Sequence, residues 1–193
     1  YISEDELGSL EYVFFPLNLE PEISMLVHSK PYMNQIDVVR NVSSSIPVGM
    51  KLLVKEHPVA VGKRPLSYYR KLLDIPNVRL ADPRLPAGPL VDNSRLVATI
   101  QGSVGWEAIL RKKPVVIFGQ ATYDFLPSSM LRRVGDLEHL GDEIADLMQN
   151  YEYHEEAVTA FVAAAMSQSV PVDYYTTLLG RQGRYGAGED MHH

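Results

Sequence analysis

Five short runs rich in apolar, β-branched or aromatic residues punctuate the chain and predict strands: YVFF at 12–15, KLLV at 51–54, VRLA at 78–81, LVATI at 96–100 and VVIF at 115–118. Helical patterns separate them. Met33, Ile36, Val39, Val42 and Ile46 recur at three- or four-residue spacing until Pro47 and Gly49 stop the pattern. LSYYRKLLD at 66–74, GPLVDNS at 88–94 and SVGWEAILR at 103–111 supply three more amphipathic segments, the last halted before Lys113 and Pro114. Strand and helix therefore alternate, and such alternation requires crossover connections. The predicted fold is α/β, a doubly wound Rossmann-like parallel sheet of five to six strands with helices on both faces. Ligands in sheets of this kind sit beyond the carboxyl ends of the strands, where strand order reverses.

After residue 137 the pattern turns wholly helical, through HLGDEIADLMQN, EEAVTAFVAAAMSQ and VDYYTTLLG. The expected organisation is a Rossmann-like ligand-binding core over 1–137 and a C-terminal helical extension over 138–193 packed on the same domain. With 193 residues and 46% hydrophobic content, one well-packed domain is the default.

Charge and cysteine usage narrow the function classes. A net charge of −6 argues against a nucleic-acid partner gripped through many phosphates, yet leaves room for one pocket that binds a small anion. The absence of cysteine removes disulfides and thiolate metal sites and suits the cytoplasm. No stretch approaches the roughly 20 apolar residues of a membrane span, and the acidic opening YISEDELGSLEY lacks the basic start of a signal peptide. The chain begins with Tyr1 and reaches its first strand within a dozen residues, so it is expected to be cut from a longer protein. No function is assigned to His192 and His193.

Three loops at strand ends hold the candidate chemistry. After the fourth strand comes Gln101-Gly102-Ser103-Val104, directly before a helix. Free N–H groups, the positive end of the helix dipole, a glycine that admits a ligand and a hydroxyl donor would converge there on a phosphate. The alternative is that Ser103 caps the helix and Gly102 turns the chain. After the second strand comes Lys55-Glu56-His57-Pro58, with His57 aimed at the same crevice. Its imidazole can donate to a phosphate oxygen as charge builds on a departing nucleotide; equally, His57 and Lys55 can be solvated loop residues. After the first strand, Asn18, Glu20 and Glu22 can accept hydrogen bonds from sugar or ribose hydroxyls, or Pro21-Glu22 can open a helix. Glu107 is either a ribose ligand or an acidic residue placed near a helix N-terminus, and Asp82 either lines a base pocket or makes an Asp-Pro turn. No GxxxxGK[ST], no GxGxxG after the first strand and no metal-ligand spacing occurs, so no metal and no cofactor are expected.

Taken in order, FFPLNLEPE, VKEHP, GKRPLSYYRKL, NVRLADP, QGSVGWEA and KPVVIFG resemble the capsule polysaccharide biosynthesis family, over about residues 12–125, with a weaker echo in SVPVDYYTTLLGR. These proteins are similar to the Kdo transferases that act on cytidine-activated sugars. The His-Pro and Ser elements also look like those of bacterial sialyltransferases, which bind a cytidine monophosphate leaving group in the C-terminal half of a GT-B fold. The resemblance implies a metal-independent glycosyltransferase donor domain using a CMP-activated sugar such as CMP-Kdo. It places His57 on the donor phosphate, as the one catalytic residue in the chain, and Gln101, Gly102 and Ser103 in the phosphate-binding turn. Family members often carry threonine where this chain has Ser103, and either hydroxyl can donate. The acidic base and the glycan or glycolipid acceptor would belong to an absent N-terminal domain, and peripheral association with the inner membrane face is compatible with such a role. Two rival readings stay open: a sugar-nucleotide epimerase of similar fold, and a non-catalytic carbohydrate- or partner-binding module.

Overall fold

A computed structural model of the chain describes residues 1–20, 26–27 and 29–169. The first turn of helix, α1 (Glu4–Leu7), precedes β1 (Tyr12–Pro16). Then follow α2 (Gln35–Ser45), β2 (Lys51–Lys55), α3 (Leu66–Leu73), β3 (Val78–Leu80), α4 (Ala87–Asn93), β4 (Leu96–Thr99) and α5 (Ser103–Leu110). The sheet finishes with β5 (Val115–Ile117) and β6 (Leu131–Arg133), and α6 (Leu140–Gln149) and α7 (Glu155–Gln168) follow.

All six strands are parallel, in the order β3-β2-β1-β4-β5-β6. The order reverses between β1 and β4, where Val13 faces Leu96 and Phe14 faces Val97. Strands β4 and β5 are buried at every position, and Tyr12, Val13, Phe14 and Phe15 of β1 are fully buried. A strand covered by helices on both faces cannot alternate, which is why these segments read as unbroken apolar runs.

The sixth strand carries no such signature. Leu131 is its one buried residue, and Arg132 and Arg133 reach Asp146 and Asp124 respectively. A charged edge strand protects the rim of the sheet from further pairing.

Helix α2 covers one face with Val38, Val39 and Val42, and α6 packs against it through Leu140, Ile144 and Leu147, all part of one core with Leu52, Val54, Ala98 and Val116. Tyr1–Ala157 form one compact unit, and its boundary falls within α7. The helix expected over VDYYTTLLG lies outside the described residues.

Two glycines are held at points of close approach. A β-carbon on Gly119 would come within 2.0 Å of the Ser29 hydroxyl and 2.8 Å of the Ile100 carbonyl, and one on Gly105 within 2.3 Å of the Tyr123 hydroxyl. The absence of a β-carbon at both positions is what lets the segments after β5 and β4 pack this closely.

Candidate functional site

The loops after β1, β2 and β4 meet at the point where strand order reverses and enclose a cavity of about 260 Å³. Asn18, Lys55, Glu56, His57, Gln101, Gly102, Ser103 and Val104 line it, together with Leu85, Pro86 and Ala87 at the start of α4. Its position is the one that the topology of an open parallel sheet assigns to ligands.

The β4–α5 turn is built from its carbonyls outward. The carbonyl of Gln101 accepts from Thr99 Oγ1 at 3.0 Å and from Asn18 Nδ2 at 3.2 Å, and that of Gly102 accepts from the Tyr123 hydroxyl at 2.7 Å. Gly102 holds φ at +109°, a region that side chains with a β-carbon rarely enter. It is Gly102, and not Ser103, that occupies the N-cap, and no side chain caps the helix. Ser103 is the first helical residue and is exposed. The capping alternative for Ser103 is therefore set aside, and the first N–H groups of α5 remain available to a ligand at the positive end of the helix dipole. Gln101 is buried, and its side-chain oxygen accepts from Ser29 Oγ at 3.3 Å.

His57 ends the strand-to-turn transition after β2, where Pro58 opens a short 3₁₀ turn over Pro58–Ala60. The Val59 N–H donates to His57 Nδ1 at 3.2 Å. A nitrogen that accepts carries no hydrogen, so the neutral ring holds its proton on Nε2, which is then its donor. Lys55 is no solvated loop residue: it is 5% exposed, and its ammonium donates to the carbonyls of Glu56 and Pro83, both at 3.2 Å. Burial pushes its pKa down, against the opposing pull of Glu56 and Asp82. One of its three N–H donors remains for another acceptor.

The other residues singled out in the sequence fall around this centre. Asn18 lines the cavity, with its amide nitrogen on the Gln101 carbonyl. Glu20 takes a hydrogen bond from Gln35 Nε2 and sits 3.8 Å from Arg64, away from the lining. Asp82 is also off the lining. Hydrogen bonds from the Arg84 side chain and backbone hold its carboxyl at about 2. Glu107 lies on α5 beyond the lining residues. Glu22 lies outside the described residues. Among the described residues, Asp136, Glu138 and His139 are close enough together to share an ion, but all three are exposed and none lines the cavity.

Sequence reasoning missed the residues that hold these loops. Glu56 and Arg64 form a buried ion pair at 3.2 Å, and Arg64 Nη2 donates to the Asn18 carbonyl at 2.6 Å. The one sequence signal was that both sit inside segments that carry the family resemblance, VKEHP and GKRPLSYYRKL.

Among the described residues no helix is long and apolar enough to cross a membrane. Protein FixF of Sinorhizobium fredii is 29% identical over 141 residues, which cover 69% of this chain and 32% of FixF. UDP-GlcNAc 2-epimerase from Methanocaldococcus jannaschii shares the fold with a TM-score of 0.56 at 15% identity, over 84% of this chain and 48% of that one. The spinosyn rhamnosyltransferase SpnG matches with a TM-score of 0.54 at 16% identity, over 82% of this chain and 42% of that one. The fold is thus of the glycosyltransferase type that epimerases also use, and the chain spans a third to a half of the length of these relatives. The match to the capsule polysaccharide biosynthesis proteins extends over residues 5–127, well over half of the sequence, and the chain belongs to that family.

Proposed function

We propose that this chain is the donor-binding domain of a glycosyltransferase of surface polysaccharide synthesis, and that it holds the phosphate of a CMP-activated sugar such as CMP-Kdo. One observation carries the reading: His57, Lys55 and the uncapped first turn of α5 converge on a single cavity at the reversal of strand order. An imidazole, an ammonium and helix-end amides are three kinds of donor that suit an anion gaining charge.

A cavity of 260 Å³ is below the roughly 300–1,000 Å³ that encloses a drug-sized ligand. It fits the phosphate end of a sugar nucleotide, with the remainder reaching outward. In the reaction, the bond between the anomeric carbon and the phosphate oxygen breaks, and the electron pair goes to that oxygen. The His57 Nε2–H and the amides of Ser103 and Val104 stabilise the charge that collects there. The acceptor, and the base that deprotonates it, come from outside this chain.

The epimerase reading has the similarity to the M. jannaschii enzyme in its favour. Calorimetric titration with CMP, UDP and GDP is expected to show preference for CMP; preference for UDP or GDP would overturn the CMP-sugar reading, and no binding to any would leave only a carbohydrate- or partner-binding module.

The same titration in excess chelator is expected to give an unchanged affinity, because protein donors alone offset the phosphate charge. Loss of binding in chelator, restored by magnesium, would overturn the metal-free part of the proposal.

A further inference from the structure

Glu56 is 6% exposed and satisfies both its oxygens inside the protein. One oxygen accepts from the main-chain N–H of His57 at 2.7 Å, and the other from the Tyr69 hydroxyl at 2.7 Å and from Arg64 Nε at 3.2 Å. Arg64 is itself buried, with its side chain 9% exposed and its guanidinium 4.6 Å above the Tyr68 ring. Its Nη2 extends to the Asn18 carbonyl, the residue whose side chain braces the Gln101 carbonyl. A continuous chain of polar contacts thus runs from His57 on one wall of the cavity, through Glu56 and Arg64, to Asn18 and the β4–α5 turn on the other.

A buried ion pair is weak evidence for stability, since desolvation offsets much of its attraction. What this pair does provide is geometry. A planar guanidinium donates along fixed directions, so it sets the separation of the groups it bridges.

We propose that Glu56 is a positioning residue for His57, and that the Glu56–Arg64 pair sets the spacing between the two walls of the cavity. The effect on the ligand rests on reading that cavity as a nucleotide-phosphate site; the effect on the histidine does not. Glutamine at position 56 has one acceptor where glutamate has two. It must either release the His57 N–H or turn an N–H toward Arg64, and release is favoured because setting an N–H against the desolvated Nε–H of Arg64, which would keep only its Asn18 hydrogen bond, is the costlier choice. The backbone at His57 then loosens, and with it the Val59 N–H contact that selects the ring tautomer.

The decisive experiment compares the protein with its Glu56→Gln, His57→Ala and double variants by two readouts. The first, nitrogen NMR of labelled histidine, needs no ligand. The unaltered protein is expected to show His57 with its hydrogen on Nε2 alone, and Glu56→Gln to show both tautomers with a cooperative melt retained. An unchanged tautomer would overturn the proposal. The second readout is CMP affinity, which Glu56→Gln is expected to weaken about tenfold, and less than about twofold once His57 is already alanine. Equal losses in both backgrounds would show a merely structural role and overturn it too. Should Glu56→Gln fail to fold, Tyr69→Phe removes one hydrogen bond, keeps the ion pair, and is expected to shift the tautomer in the same direction. If the unaltered protein binds no CMP, UDP or GDP, the donor-domain reading falls, and the tautomer still decides whether Glu56 positions His57.

Discussion

In a transferase built on this chain as its donor domain, as proposed, replacing His57 with alanine is expected to slow sugar transfer by about a hundred- to a thousand-fold, or roughly 3–4 kcal/mol, while weakening nucleotide binding much less. The asymmetry follows from where charge develops. A glycosyl phosphate already carries negative oxygens in the ground state, and more charge gathers on the bridging oxygen as its bond to the sugar breaks. A donor directed at that oxygen therefore contributes more in the transition state than before it. The Nε2–H is a suitable donor because the Val59 N–H occupies Nδ1 and fixes the tautomer. The helix-end amides of α5 remain in the variant, so affinity falls far less than turnover. Steady-state kinetics and titration check this: a fall in kcat of about two to three orders of magnitude against a loss of affinity of about tenfold supports the role, and an unchanged kcat removes His57 from the mechanism.

Gly102→Val is expected to abolish most nucleotide binding, with a loss on the order of a hundredfold, because both the backbone and the approach to the phosphate change. At φ +109° a β-branched residue is strained, which costs about 1–3 kcal/mol if the conformation is kept. If it is not kept, the turn rearranges and the amides of Ser103 and Val104 move off their target. Gly49→Val supplies the control. Gly49 also has positive φ, at +95°, with open space around its β-position, but it precedes β2 at the opposite end of the sheet. A comparable drop in thermal stability with unchanged affinity is expected there. Equal affinity losses at both positions would mean that Gly102 acts only through stability.

Much of the fold was legible because burial on both faces leaves a plain trace. YVFF, LVATI and VVIF read as strands for the reason that β1, β4 and β5 are inaccessible to water along nearly their whole length. Leu131–Arg133 left no such trace, since an edge strand tolerates Arg132 and Arg133 and pairs by backbone alone. In the cavity, His57 and the Gly102–Ser103 turn were legible from position, as residues at the carboxyl ends of strands in an alternating fold. The competing cap reading for Ser103 could be resolved only by the dihedral angles, which assign the cap to Gly102.

Tertiary proximity is what the sequence withheld. Arg64 lies eight residues beyond Glu56, and nothing in that interval reveals that the chain folds back to pair them against Tyr68 and Tyr69. Asp82 and Glu20 were attractive as carboxylates near strand ends, but each is engaged by a neighbouring arginine, Arg84 and Arg64, at the fringe of the cavity. In their place Leu85, Pro86 and Ala87 form the wall on that side.

The central claim is that a nucleotide phosphate sits at the first turn of α5 within reach of His57. A crystal structure of the protein with CMP tests it most directly. The account predicts the phosphate within hydrogen-bonding distance, about 2.7–3.2 Å, of the Ser103 or Val104 N–H and of His57 Nε2. A CMP molecule bound elsewhere, or one whose phosphate contacts neither the α5 amides nor His57, would contradict it.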